Sequence, residues 1–437
     1  MFLGAAGKSG DRGGIARGVG VSNPDQRQSI AETSRGIWAT TATRTTTVAR
    51  SFVAAAALIY LYDLLGQTHD HFTNGAGRPL GDDFINFWSG AYLAWHGRVT
   101  EIYDPAAFHV FEQSMVGASL NAYHYSYPPV LLLTAPLAFM AYAPALLVWL
   151  TAGWYAFYRA LRLAMPGQGA LLLALATPAV FINAVGGQNG TWTAALFGGG
   201  LSLLERRPLL AGGLLGLLIY KPQLALLIPV ALLAGRHWRA FAAASVVAGA
   251  LLAVSATWFG TDVWAEYLRN LGVLRQMILE EGNGVWHRFV SVFVGARRLG
   301  APVEVAYMIQ TVAAALACIA VAWVWFGDAP AGVKNAVLVL GTCLATPYLQ
   351  DYDLVFGALV VAWLWRCPVP DASDGVLQVS AGLLLLLPLV AAALAKLTGL
   401  VLGPLFIAPL FIVALQRSFG AWPAGLALLQ RSRGLLG

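Results

Sequence analysis

Charge is what this sequence lacks most. Only 11% of its 437 residues are Asp, Glu, Lys or Arg, whereas soluble domains average about 25%. Hydrophobic residues make up 58% of the chain, and the mean hydropathy is +0.66. A water-soluble globule of this length does not need that much apolar surface. The composition therefore excludes a soluble protein and indicates a chain that crosses a membrane many times.

Cysteine pairs and the common catalytic motifs are also missing. The three cysteines lie in or beside apolar runs without CxxC spacing, which argues against a zinc site and a disulfide framework: Cys318, Cys343 and Cys367. No Walker loop, dinucleotide fingerprint, HExxH or nucleophile elbow occurs. The histidines at positions 96, 109 and 124 match no metal-ligand spacing. We therefore expect no cofactor and no divalent metal.

A basic stripe of the kind that binds nucleic acid is absent as well. The net charge is +6, but Lys and Arg stand singly or in pairs at the ends of apolar runs. In that position they indicate topology, because cytoplasmic loops collect basic residues. We expect membrane lipids and no nucleic acid among the partners.

Long apolar runs recur along the chain, among them residues 144–158, 239–259, 305–326 and 376–395. Threading them with basic loops inside predicts an all-α polytopic bundle of about 11–13 transmembrane helices in the inner or plasma membrane. The predicted parts are a disordered cytoplasmic tail at 1–46, a transmembrane domain at 47–417 and a cytoplasmic C-terminal tail at 418–437. Outer loops fall at about 67–127, which we expect to be helical, and at about 260–300.

Residues 128–142 resist this threading. If they crossed fully, the side of the membrane assigned to every later loop would be inverted. Four prolines at positions 128, 129, 136 and 144 favour a broken or re-entrant segment instead. With that interpretation, the polar clusters within the apolar body all lie on the outer face.

The outer-face clusters are the places where chemistry is expected. They are GDDFINFWSGAYLAWHG (81–97), YSYPPV (125–130), GGQNG (186–190), YKPQ (220–223), GVWHRF (284–289) and PYLQDYD (347–353). The first holds adjacent carboxylates, Asp82 and Asp83, followed by aromatic residues at helical spacing. That spacing predicts an amphipathic helix lying at the membrane interface.

The ordered set of these motifs, with IYDP, ERRPLLAG and WHRFVSVF, resembles the polytopic glycosyltransferases of family 87, which have the GT-C fold. The resemblance covers residues from about 48 to 416. It implies an enzyme of the mannosyl or arabinosyl transferase kind, which takes a sugar from a polyprenyl-phosphate donor and attaches it to a lipid or polysaccharide acceptor outside the cytoplasm. By likeness, Asp83 matches the proposed catalytic carboxylate, and Asp82 is an additional acid.

Direct displacement at an anomeric carbon needs a carboxylate to take the acceptor's proton and a cation to stabilise the leaving phosphate. We therefore predict an inverting transferase in which Asp83, or its neighbour Asp82, is the general base. Binding of the donor phosphate is assigned to Lys221, Arg288 and His287. Sugar and acceptor binding is assigned to polar and aromatic side chains of the outer clusters: Tyr127, Gln188, Asn189, Trp286, Tyr348, Gln350, Asp351 and Asp353.

Simpler roles remain open for these residues. One of the two adjacent acids is suited to cap the following helix, and Lys221 to snorkel to the interface. GGQNG suits a tight turn, and Asp351 an ion pair with an arginine. At the level of function, the alternatives are a secondary transporter and a noncatalytic or polymerase component of envelope polysaccharide assembly.

Overall fold

The computed structural model describes residues 46–69, 71–121, 127–367 and 374–419. Within those ranges the regular secondary structure is helical, and β contacts are limited to isolated bridges between Thr73 and Pro79 and between Phe289 and Gln350. The prediction of an all-α protein is confirmed. The two predicted tails lie almost wholly outside the described residues.

The α-helices, in chain order, are α1 (Thr46–Gly66), α2 (Phe84–Trp95), α3 (Pro105–Val116), α4 (Pro128–Leu133), α5 (Tyr142–Ala164), α6 (Gly169–Ala176), α7 (Pro178–Val185), α8 (Gly190–Leu203), α9 (Pro208–Leu217), α10 (Pro222–Ala225), α11 (Ile228–Ala234), α12 (Trp238–Phe259), α13 (Thr261–Leu274), α14 (Val292–Arg298), α15 (Val303–Phe326), α16 (Ala331–Ala345), α17 (Gly357–Trp365), α18 (Asp374–Thr398) and α19 (Gly403–Phe419). Short 3₁₀ segments occupy Val99–Tyr103, Ala135–Phe139, Leu218–Tyr220, Trp286–Arg288 and Asp351–Phe356, and Arg275–Glu280 is a π-helix.

Four of the helices are long and apolar enough to cross a bilayer by themselves: α1, α12, α15 and α18. A span of about 20 residues is needed, because each residue of a helix rises about 1.5 Å and the hydrocarbon core is about 30 Å thick. Shorter apolar helices, including α16 and α19, pack among the long ones. The chain is therefore a polytopic membrane protein.

Basic loops gather at one end of the unit that comprises residues 52–437. His237 lies 3.8 Å from Glu205 and packs edge-on against Trp325, whose indole donates to the carbonyl of Lys334. Two arginines join the same end by donating to helix-terminal carbonyls, Arg366 to Ala164 and Arg417 to Leu364 and Cys367. We call this the basic end. The positive-inside rule predicted that these loops share one side of the membrane, and in the structure they lie together.

Residues 128–142 are broken, as the prolines predicted. The short helix α4 and the 3₁₀ turn Ala135–Phe139 replace a continuous span, and each is too short to cross about 30 Å of hydrocarbon. The indoles of Trp88 and Trp95 donate to the carbonyls of Met140 and Leu131. These bonds hold the segment against α2.

The exposed amphipathic face predicted for α2 is absent, because protein covers this helix. Ten of its twelve residues are buried, and α4, α5 and the 3₁₀ turns surround it. The ring of Trp88 packs against Tyr142 and Phe111. Aromatic residues at helical spacing suit a helix packed within protein as well as one at headgroup depth, so the pattern alone did not separate the two locations.

Candidate active site

Four separated loops meet at the end of the bundle opposite the basic end. They are the turn before α2, the turn between α7 and α8, the 3₁₀ turn Trp286–Arg288 and the segment Asp351–Phe356. Arg288 joins three of them, because its guanidinium lies 3.8 Å from Asp83, 3.9 Å from Asp82 and 3.3 Å from Asp351. We call these three acids and Arg288 the acid cluster.

Asp83 stands at the entrance of α2 with its carboxylate directed into the acid cluster. Gln188, from the turn between α7 and α8, donates its amide to Oδ2 of Asp83. Asp83 makes no side-chain hydrogen bond that caps α2. Its side chain keeps 32% of its surface exposed, so a ligand has access to it.

The surroundings of Asp83 favour its neutral form. Burial among the loops and the charge of Asp82 together raise the pKa of Asp83 to about 7, although Arg288 lowers it. A carboxyl group with a pKa near the working pH is well suited to take and release a proton. The same group in water has a pKa of about 3.9 and would be a much weaker base.

Asp82 is held in a constrained backbone conformation. Its φ is +45°, a region that residues other than glycine rarely adopt. Nε of Arg78 lies 3.6 Å from its carboxylate, and Arg78 also binds Asp63 at 2.7 Å. Arg288 also lies 3.9 Å from Asp82. Arg78 and Arg288 therefore hold Asp82 and fix the turn that positions Asp83.

Arg288 carries its charge among carboxylates. Burial opposes that charge, but Asp351, followed by Asp83 and Asp82, raises the pKa of Arg288 above its ordinary value. Its Nη2 and Nε donate to Asp351 at 3.3 and 3.4 Å. Arg288 therefore remains a permanent cation at the centre of the cluster.

Lys221 lies beside the acid cluster in an ion pair. Its side chain is buried and bonds Asp353, whose side chain has no exposed surface. Nζ also donates to Oδ1 of Asn189 at 3.1 Å. Lys221 and Arg288 both make cation–π contacts with the ring of Tyr352, at 4.6 and 5.7 Å from its centroid. One aromatic ring therefore contacts both cations.

Two glycines of GGQNG allow the loops to approach so closely. A Cβ on Gly187 would lie 2.0 Å from the carbonyl oxygen of Gly81, and Gly187 has a φ of +58°. A Cβ on Gly190 would lie 2.2 Å from the carbonyl oxygen of Tyr352. Any larger residue would push the turn away from Asp83 or from the Asp351–Phe356 segment.

Gly187→Ala is therefore expected to destabilise the protein by more than about 1 kcal/mol and to lower activity, because Gln188 would move away from Asp83. Thermal unfolding in detergent measures the first effect, and an activity assay of the purified protein measures the second. The matched control is Gly249→Ala in α12, where a Cβ would meet nothing within 4 Å. A Gly187→Ala protein with the stability and activity of the control would contradict the close approach.

Five of the predicted site residues make their contacts away from the acid cluster. His287 bonds the carbonyl of Gly284, and Trp286 donates to Leu279, both on the side of the turn away from Asp351. Tyr127 packs against Trp264 and Tyr267. Tyr348 packs in a small cluster with Phe289 and Phe293. Gln350 caps the Asp351–Phe356 segment together with Asp353.

Sequence reasoning missed three residues that complete the site: Asp63, Arg78 and Tyr352. The position of Arg78 four residues before Asp82 was a usable signal, as was that of Tyr352 between two candidate acids. Asp63 lies in the last turns of α1, and its contact with Arg78 connects it to the site. Among the described residues, no group of three His, Cys, Asp or Glu side chains is arranged to hold a metal ion.

Comparison with known proteins decides the family. The family model of Glycosyltransferase family 87 matches residues 123–347, which is more than half of the chain. The protein belongs to glycosyltransferase family 87. No curated protein and no solved structure matches the chain.

Membership of glycosyltransferase family 87 implies an enzyme that moves a sugar from a donor to an acceptor. The matched residues include Gln188 and Arg288, which lie against Asp83, and Asn189 and Lys221, which bond each other. Asp83 itself precedes the match, and Asp351 and Asp353 follow it. The structure thus joins three acids from outside the matched region to the polar loops within it.

Proposed function

We propose that this glycosyltransferase transfers a mannose-like or arabinofuranose-like sugar from a polyprenyl-phosphate donor to a lipid or polysaccharide acceptor on the non-cytoplasmic face of the membrane. The observation that supports this most is the position of Asp83, half-exposed, hydrogen-bonded to Gln188 and 3.8 Å from Arg288. A proton acceptor and a permanent cation stand side by side, as direct displacement requires.

In the proposed step, the oxygen of the acceptor hydroxyl attacks the anomeric carbon while Asp83 takes its proton. The bond between that carbon and the phosphate oxygen breaks, and polyprenyl phosphate leaves with the bonding electrons. Arg288 stabilises the phosphate through charge-assisted hydrogen bonds. Because one displacement inverts the reacting centre, the product has the opposite anomeric configuration.

Lys221 has a supporting part in this proposal. It is fully engaged with Asp353 and Asn189, so it adds positive potential from behind the ring of Tyr352 and orients Asn189. Gln188 fixes the carboxylate of Asp83, and Asn189 and Asp351 border the space where sugar hydroxyls would bind. A carrier lipid explains why the enzyme is built in the bilayer, because the hydrocarbon tail is itself a membrane solute.

The direct test is incubation of purified protein in detergent with short-chain polyprenyl phosphates carrying mannose, arabinose, glucose or galactose. Release of polyprenyl phosphate together with transfer of one sugar is the expected result. Recovery of every donor intact, with uptake of a sugar into proteoliposomes, would show a transporter instead.

The rate of transfer is expected to depend on pH around neutrality. Asp83 must be deprotonated to accept a proton, and its pKa is raised to about 7, so kcat/KM falls as the pH drops through that value and levels off above it. Asp82→Asn removes a charge that raises the pKa of Asp83 and should move the profile to lower pH. Asp262→Asn, at an exposed position in α13, should leave it in place. A flat profile across this range would contradict the assignment of the base.

A further inference from the structure

A cavity of about 410 Å³ opens on the other side of the Trp286–Arg288 turn, away from the acid cluster. Its lining includes Glu281, Trp286, His287, Arg298 and Lys396. Ligand-binding cavities in proteins range from about 300 to 1,000 Å³, so a headgroup with part of its chain fits this volume. Nothing in the proposed transfer step uses this cavity.

The cavity carries excess positive charge. Glu281 is engaged by the amide of Gln276 at 2.7 Å. Arg298 is fixed by donating to the carbonyls of Ala395 and Gly399 at the end of α18. Among the described residues, no carboxylate lies within ion-pair distance of Arg298 or Lys396, whereas Lys221 and Arg288 are both paired with acids.

Lys396 places the cavity at the depth of lipid headgroups. It lies in the last turn of α18, one of the four long apolar helices. Basic residues at the end of a membrane span lie at the level of the lipid phosphates, and Trp286 is of the residue type enriched there. An anion that reaches this cavity from the bilayer therefore arrives without leaving the interface.

We propose that the cavity lined by Trp286, His287, Arg298 and Lys396 binds the phosphate group of a membrane lipid, at a position separate from the acid cluster. Lys396 supplies the mobile charge and Arg298 the fixed one. Trp286 borders the first carbons of the lipid chain. His287 and Arg288 are consecutive, so a lipid held here lies directly beside the reaction site.

The test is binding of three probes to purified protein in detergent: a short-chain polyprenyl phosphate, short-chain phosphatidylglycerol and inorganic phosphate. Lys396→Glu is expected to raise the dissociation constant of the lipid phosphates at least ten-fold. Lys334→Glu is the matched control at the basic end and should change it less than two-fold. Asp83→Asn should bind as the wild type does, since the proposed transfer step is not involved in this binding.

Binding of the polyprenyl phosphate alone would identify the carrier as the ligand, and binding of both lipids would identify a general headgroup site. Either result supports the proposal when Lys396→Glu weakens that lipid binding at least ten-fold. Equal affinity for inorganic phosphate and the lipids would show that the cavity does not recognise a lipid, which contradicts the proposal. Unchanged lipid binding by Lys396→Glu would overturn the proposed lipid-phosphate site. Intact lipid binding in an Asp83→Asn protein that has lost transfer would support a site separate from the acid cluster.

Discussion

Asp83→Asn is expected to slow sugar transfer by about 10²–10⁴-fold, the range typical of a lost general base, while the protein stays folded. Asparagine keeps the shape of the side chain and a carbonyl oxygen that can accept from Gln188, but it cannot take the acceptor's proton. Release of polyprenyl phosphate from a polyprenyl-phosphate sugar measures the rate, and thermal unfolding in detergent measures the fold.

Two further variants serve as controls that make this result specific to Asp83. Asp82→Asn should keep measurable transfer, because Asp82 is held by Arg78 and Arg288 and acts on the charge of Asp83. Asp262→Asn removes a carboxylate from an exposed position in α13 and should behave as the wild type. Equal losses in Asp82→Asn and Asp83→Asn would show that the two acids act as one unit. A fully active Asp83→Asn protein would eliminate Asp83 as the base.

Lys221→Met is expected to lower the free energy of unfolding by about 3–5 kcal/mol, because it leaves a buried carboxylate without its cation. Asp353 has no exposed side-chain surface, so water cannot replace the lost partner. The double variant Lys221→Met with Asp353→Asn should recover most of that stability, since the asparagine oxygen can still accept from the backbone of Gln350. Unfolding in detergent measures the free energy of unfolding of the wild type, Lys221→Met and the double variant.

Activity separates the two parts played by Lys221. If it adds positive potential to the leaving phosphate, the double variant regains stability but transfers sugar at least about ten-fold more slowly, as expected for loss of a charge-assisted contribution. Lys334→Met, at the basic end, is the matched control and should change neither property. Wild-type activity in the double variant would reduce Lys221 to a structural role, and wild-type stability in Lys221→Met would contradict the buried pair.

Much of the architecture was predictable because bilayer thickness and loop charge constrain it strongly. The apolar runs predicted α12, α15 and α18, and the prolines predicted the break at 128–142. The basic loops predicted which turns share an end, since the positive-inside rule assigns the turns of Arg366 and His237 to the same side. That constraint alone brought Asp83, Lys221 and Asp353 to the same end of the bundle.

The contacts within the site were not predictable from the sequence, because they depend on packing between distant segments. Lys221 and Asp353 are 132 positions apart, and no local pattern pairs them. The lysine assigned to bind phosphate is thereby paired with the acid assigned to bind sugar. The burial of α2 was missed for a similar reason, since its periodicity does not say whether lipid headgroups or protein cover it.

The anomeric configuration of the product tests the central chemical claim most directly. Transfer from a donor of defined configuration, followed by NMR of the purified product, reports whether one displacement or two occurred at the reacting carbon. The structure places the partly exposed carboxylate of Asp83 beside Arg288, and direct displacement with Asp83 as the base predicts complete inversion. A product that retains the donor's configuration would contradict direct displacement with Asp83 as the base.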